Sequence, residues 1–220
     1  MNFLLLESWT GPYVRRHAVL APPDAGTKIR PGYAKASGKP SKRAGAAMTP
    51  ATRHGAVFFD RDGVLNVDDG YVYRIDAFRW MPGAREALRL VNERGLFAFV
   101  VTNQSGVARG FYGQDDVRRL HAHMQAELRA FGAHIDDFRH CPHHPCADIA
   151  AYRRDCDCRK PRPGMILDLA AHWPVDLAQS LLIGDKASDV AAAQAAGIRG
   201  FLSDGAVALD ALVRRALEEL

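Results

Sequence analysis

From Ala56 onward the chain alternates short unbroken apolar runs with longer stretches in which apolar residues recur every three or four positions. Ala56–Phe59 is a continuous apolar run, as expected of a strand buried on both faces. Pro82 opens a helical pattern with Ala84, Ala87, Leu88 and Val91 on one face, ending near Gly95. Leu96–Val101 reads as a second buried strand. Val117, Leu120, Met124, Leu128 and Phe131 form the apolar face of a second helix before Gly132. Ile135–Arg139 is a weaker third strand. Pro163 starts a helix through Ile166, Leu167 and Ala170, Ser180–Ile183 is a fourth strand, and Ala187–Ala196 is an alanine-rich helix stopped by Gly197. Arg199–Leu202 and a closing helix on Leu209, Leu212, Val213, Ala216 and Leu217 complete the series. This alternation predicts an α/β fold, a doubly wound parallel sheet with helices on both faces. Ligands of such sheets sit beyond the carboxyl ends of the strands.

The pattern begins only near residue 54. Residues 1–53 show no sustained period and are rich in Pro, Gly, Ala, Lys and Arg, so they read as a disordered basic tail, with Met48 as an alternative start of translation. Residues 54–220 form the folded domain. The tail holds nine Lys or Arg against two acids, a net of +7. The rest then carries 20 basic and 23 acidic residues, or −3, so the overall +4 is no sign of a nucleic-acid surface on the body. No apolar run is long enough to cross a bilayer. The opening Met1–Leu6 run is interrupted by Glu7 and has no basic segment before it, which fits a secretory signal poorly. We therefore expect a cytoplasmic monomer that binds neither membrane nor nucleic acid.

Each predicted strand end carries polar residues suited to one chemistry. Asp60 and Asp62 follow the first strand, with Gly63 next, so a tight turn can aim two carboxylates at one point. Such a pair suits Mg²⁺, which prefers oxygen ligands and shares them with substrate phosphate. One carboxylate can then attack phosphorus while the other handles the proton of the leaving oxygen. Thr102, Asn103, Gln104 and Ser105 supply hydroxyls and amides after the second strand. Arg159 and Lys160 place positive charge ahead of a helix N-terminus, and Asp185, followed by Lys186, adds an acid after the fourth strand.

The four cysteines cluster between Cys141 and Cys158. Cys141 and His143, then twelve intervening residues, then Cys156 and Cys158 offer four soft ligands in two close pairs, a pattern for a closed structural Zn²⁺ site. On residue chemistry alone Cys146 could replace His143 in a Cys₄ site.

The order Asp-x-Asp-Gly, Thr-Asn, Lys-Pro, Gly-Asp-Lys resembles the haloacid-dehalogenase-like (HAD) superfamily of aspartyl-phosphate enzymes. The strings Asp60–Asn66, Thr102–Gly110, Cys141–Pro145 and Cys156–Met165 resemble the D-glycero-manno-heptose-1,7-bisphosphate 7-phosphatases more narrowly, and the likeness covers about residues 55–205. The resemblance implies that Asp60 is the nucleophile and Asp62 the general acid and then base. It implies that Asp60, the Asp62 backbone carbonyl and Asp185 hold Mg²⁺, and that Thr102 and Lys160 stabilise the phosphoryl group. Asp68, Asp69, Gly70, Tyr71, Asn103, Gln104 and Ser105 would line the sugar pocket, Arg159 would reach the substrate's far end, and Lys186 would sit near metal and phosphate. Arg109 is a further contributor on this reading. It also favours His143 over Cys146 at zinc, with the loop 141–158 as the zinc insertion and no large cap domain. The implied activity removes the 7-phosphate of a heptose bisphosphate, supplying activated heptose for lipopolysaccharide. A histidinol-phosphate phosphatase is the alternative enzyme, and a zinc-stabilised nucleic-acid-binding module the alternative of another class.

Overall fold

The computed structural model describes residues 52–220. The expected tail at residues 1–53 therefore lies almost entirely outside the described residues. Five parallel strands, β1 (Ala56–Phe59), β2 (Phe97–Asn103), β3 (Asp137–Cys141), β4 (Leu181–Gly184) and β5 (Arg199–Leu202), form one sheet in the order β3-β2-β1-β4-β5. The chain winds outward from β1 in one direction through β2 and β3, then returns to the other side for β4 and β5. The topological switch therefore lies between β1 and β4, whose pairing continues into the site through Asp60 N donating to Ile183 O at 2.9 Å.

Alternation along β1 builds both layers of the core. Val57 and Phe59 face a cluster with α1 (Ala84–Glu93), α3 (Gln114–Phe131) and α6 (Leu209–Glu218). Ala56 and Phe58 face the opposite cluster with α4 (Gly164–His172) and α5 (Ala187–Ala195). All four β1 side chains are fully buried. Burying a residue such as Phe58 or Phe59 contributes roughly 1.5–3 kcal/mol, which makes this short strand a strong anchor for whatever follows it.

The elements expected from periodicity are all present, with shifts at their ends. The third strand begins at Asp137 rather than Ile135. Ile135 is buried before the strand starts, its backbone NH and carbonyl both held by the Gln125 side-chain amide, so its apolarity marks a capped loop. β3 is an edge strand of sequence DFRHC in which Cys141 is the fully buried residue, and a half-covered edge has little apolar pattern to read. β2 runs on to Asn103, which puts Thr102 inside the strand. The four-residue helix α2 (Ser105–Ala108) was not anticipated. Among the described residues, no helix is long and apolar enough to cross a membrane.

Candidate active site

Among the cavities on the described surface are two of about 220 Å³ each. One, lined by Val64, Met81, Pro82, Ser203 and residues 205–209, presents no titratable side chain. The other lies over the carboxyl ends of β1, β2 and β4 and is lined by Asp60, Asp62, Asp68, Gly70, Tyr71, Thr102, Asn103, Ser105, Lys160 and Lys186, together with Tyr112, Ser188 and Asp189.

Asp60 forms the floor of this second cavity, only 6% exposed. Its Oδ1 accepts from Arg61 N at 2.7 Å and lies 2.9 Å from Lys160 Nζ. Burial pushes the Asp60 carboxyl up to about 6, against the opposing pull of Lys160 and with help from the nearby Asp189 charge. Lys160 is itself buried, its ammonium spread over Asp60, Asp189 Oδ1 at 2.6 Å and the Val101 carbonyl at 2.8 Å. Its backbone is clamped by Asn103, whose amide accepts from Lys160 N and donates to Lys160 O, each at 3.1 Å.

Asp189 is the functional residue that sequence reasoning missed. It is fully buried, takes Lys160 on one oxygen and accepts from Lys186 N at 3.0 Å on the other. The available signal is an acid four residues after Asp185, which in sequence cannot be told from an ordinary first-turn helix acid. Arg61 was missed for a similar reason and is fully buried behind Asp62.

Asp60, Asp185 and Asp189 each bring an oxygen into one group whose atoms lie within 4.8 Å of each other. Asp189 Oδ2 accepts from Lys186 N and its Oδ1, though without a hydrogen bond, is ion-paired with Lys160 at 2.6 Å, whereas buried Oδ1 of Asp185 has neither a hydrogen bond nor an ion pair. Asp60 and Asp185 therefore fit a hard divalent cation, one partner able to compensate a buried carboxylate oxygen left without any other. Gly63 is held to this arrangement by sequence necessity. Its φ is +83°, and a Cβ there would come within 2.5 Å of Asp185 Oδ2. Lys186 stands at the rim, 57% exposed, 3.3 Å from Asp185 and 3.6 Å from Asp68. Burial pulls its ammonium down, but Asp185, Asp60 and Asp68 outweigh this and raise it.

Four expected sugar or phosphate contacts, Arg109 among them, are not brought to the cavity wall. Gln104 is buried with its amide committed to Asp62 Oδ2 at 2.8 Å, Thr102 Oγ1 at 2.9 Å and the Tyr112 hydroxyl at 2.7 Å. Asp69 points outward to Arg79 in an exposed ion pair. Arg159 donates to the His143 carbonyl at 3.2 Å, tying it to the cysteine loop.

In that loop, Cys141, His143, Cys156 and Cys158 converge, with Sγ–Sγ separations of 3.2–3.5 Å and His143 Nδ1 at 3.4 Å from Cys158 Sγ and 3.7 Å from Cys141 Sγ. These edges suit a tetrahedron with Zn–S bonds of about 2.3 Å. Cys146 is exposed and outside the group, its backbone NH bonded instead to His144 Nδ1. Burial pushes the Cys141 and Cys158 thiols up. At Cys156, hydrogen bonds from Cys158 and Cys141 outweigh burial and lower the thiol. Arg154 Nη2 lies 2.6 Å from His143 Nε2. A guanidinium only donates, and a metal on Nδ1 leaves Nε2 protonated, so loading the site requires Arg154 to turn away.

A family model described as HAD-hydrolase-like matches residues 157–216. A D-glycero-beta-D-manno-heptose-1,7-bisphosphate 7-phosphatase from Rhodopseudomonas palustris is 54% identical over 170 residues, 77% of this chain and 94% of that protein. A phosphatase of the same name from Escherichia coli is 42% identical over 143 residues, covering 65% of this chain and 75% of its own. Among solved structures, D,D-heptose 1,7-bisphosphate phosphatase from B. bronchiseptica, complexed with magnesium and phosphate, superimposes with a TM-score of 0.65 at 31% identity, over 76% of this chain and 99% of that one. With that level of identity across nearly the whole of a relative, this chain belongs to the D-glycero-β-D-manno-heptose-1,7-bisphosphate 7-phosphatase family of HAD-like hydrolases.

Proposed function

We propose that the protein is a magnesium-dependent phosphatase that removes the 7-phosphate of a D-glycero-D-manno-heptose 1,7-bisphosphate through an aspartyl-phosphate on Asp60. The observation that carries this is the Asp60 carboxylate on the floor of a cavity of about 220 Å³, with Lys160 at 2.9 Å and the orphaned Asp185 oxygen beside it. Asp60 attacks phosphorus, the ester P–O bond breaks, and the departing oxygen takes a proton from Asp62. Water then attacks the acyl phosphate, giving its proton back to Asp62 as phosphate leaves and Asp60 is restored. Thr102 and Lys160 bind and orient the phosphoryl oxygens. Asp60, Asp185 and the Asp62 backbone carbonyl would hold magnesium, which would supply charge compensation for nucleophile and phosphoryl group. Asp68, Gly70, Tyr71, Asn103 and Ser105 line the sugar side of the cavity. Cys141, His143, Cys156 and Cys158 would hold a structural zinc, ordering the loop to which Arg159 is tied. Arg159 stands outside the cavity wall, from where it could meet only the part of a substrate that projects beyond the cavity. The thiol ligands suit the reducing cytoplasm.

Phosphate release from both anomers of the 1,7-bisphosphate, with and without Mg²⁺, tests this against histidinol phosphate. Turnover of the bisphosphate only with Mg²⁺, reduced about 10⁴-fold or more by Asp60→Asn, is the expected result. Activity on histidinol phosphate alone would overturn the substrate. An Asp60→Asn variant of undiminished activity would overturn the nucleophile.

A further inference from the structure

Asp62 is held by more groups than a solvated loop acid needs. Its Oδ1 accepts from Arg61 Nε at 3.1 Å, Arg61 Nη2 at 2.9 Å and Asn66 Nδ2 at 3.0 Å. Its Oδ2 accepts from the same Nη2 at 2.9 Å and from Gln104 Nε2 at 2.8 Å. Arg61 is the largest fully buried side chain described, at 0% exposure, while 17% of the Asp62 side chain remains open to the cavity. The guanidinium is fixed from behind, Nη2 donating to the Val72 carbonyl at 2.6 Å and Nη1 lying 3.5 Å from His121 Nε2. Gln104 is fixed in turn by the Tyr112 hydroxyl, and the same amide nitrogen also reaches Thr102 Oγ1.

We propose that Arg61 is the positioning residue for Asp62, its buried guanidinium acting with Asn66 and Gln104 as a frame that fixes where the carboxyl group meets the leaving oxygen. This rests on the reading of Asp62 as the proton donor. The frame is anchored to three separate parts of the fold: the turn after β1, the end of β2, and α3 through His121. A carboxyl group on a short side chain has two free torsions, and the planar fork removes both by contacting each oxygen. Lysine at this position would keep the charge and lose the fork, so charge alone would not restore the geometry. The proton transfer itself is unchanged. Asp62 gives its proton as the ester P–O bond breaks and the electron pair departs on oxygen, and Arg61 touches neither substrate nor metal.

A purely structural role for Arg61 would slow all substrates alike. A positioning role slows only those whose leaving oxygen needs the proton. The experiment therefore compares single-turnover rates of Arg61→Lys, Arg61→Gln and Asp62→Asn on the heptose bisphosphate, whose leaving group is an alkoxide, and on 4-nitrophenyl phosphate, whose leaving group departs unprotonated. Expected for all three is a fall of about 10²-fold or more in rate on the sugar phosphate, with KM changed little and nitrophenolate release nearly intact. Asp62→Asn discriminating while the Arg61 variants lose both substrates equally, or lose neither, would overturn the proposal and leave the role of Asp62 standing. Asp62→Asn failing to discriminate would remove the proton-donor reading, and the proposal with it. Should Arg61→Gln not fold, Arg61→Lys, which keeps the buried charge paired, carries the comparison.

Discussion

His121 on α3 stacks on the Phe138 ring with centroids 4.4 Å apart, beside His140 and with Arg61 3.5 Å from its Nε2. Burial holds its imidazole well below the ordinary value, with the Arg61 charge and then His140 adding to the depression. The folded protein keeps His121 neutral where the unfolded chain protonates it near pH 6.5. Stability is therefore intact above that pH and is lost as pH falls below it, by up to about 1.4 kcal/mol per pH unit from this group. Urea unfolding at pH 7.5 and 5.5 checks this. His121→Phe, which keeps an aromatic ring against Phe138, should flatten the acid-side loss by that slope, and an unchanged slope would place the loss elsewhere. The same pair shows why some site residues could not be read from the chain. Asp60, Asp62, Lys160 and Asp185 were legible because each is a charge placed directly after a strand or before a helix. Arg61 and Asp189 act through contacts made only in three dimensions, and in sequence they look like a loop cation and a helix-start acid.

At the scale of elements, the strands that position chemistry were the legible ones. β1, β2 and β4 are buried on both faces, so their apolar runs are unbroken and their ends can be placed within about two residues. β3 is half covered, and its true register, with Asn103 opposite Cys141, starts the cysteine loop beside the end of β2, where Thr102 and Asn103 lie. That loop has little apolar content, and its buried residues beyond the strand are Pro142, His143 and Ala147. On the proposed zinc reading, much of its order would come from the four converging ligands, because so small an apolar surface offsets little of the entropy of fixing the chain. Removing zinc with a chelator, or replacing Cys156 with Ser, should lower the melting midpoint by at least about 5 °C. KM for the bisphosphate should rise more than kcat falls, since Arg159 is tied to this loop while Asp60 and Lys160 are held by the sheet and Asp189. Calorimetry with bound-zinc analysis reads the first effect and steady-state kinetics the second. A metal-free protein of unchanged midpoint would show that the loop is ordered without it.

Across the whole molecule, every side chain assigned to the site falls between Asp60 and Asp189, on a body that begins its sheet at Ala56. The charge of the chain is distributed otherwise. Residues 1–47 hold eight Lys or Arg and two acids, so residues 48–220 alone carry a net of −2 against +4 for the full chain. A basic segment could matter to a phosphatase in one physical way, by drawing a doubly phosphorylated substrate toward a negatively charged body. Such steering fades over about 10 Å at 0.1 M salt and shows in kcat/KM, not in kcat. The cavity meanwhile supplies its own cations at contact distance, with Lys160 at the floor and Lys186 at the rim. Contact charges in a partly buried site outweigh screened ones at a distance. Deleting residues 1–47 should therefore leave kcat unchanged and kcat/KM within about twofold at physiological ionic strength, with a larger loss confined to low salt. A fall in kcat itself at 0.15 M salt would mean that these residues reach the chemistry directly.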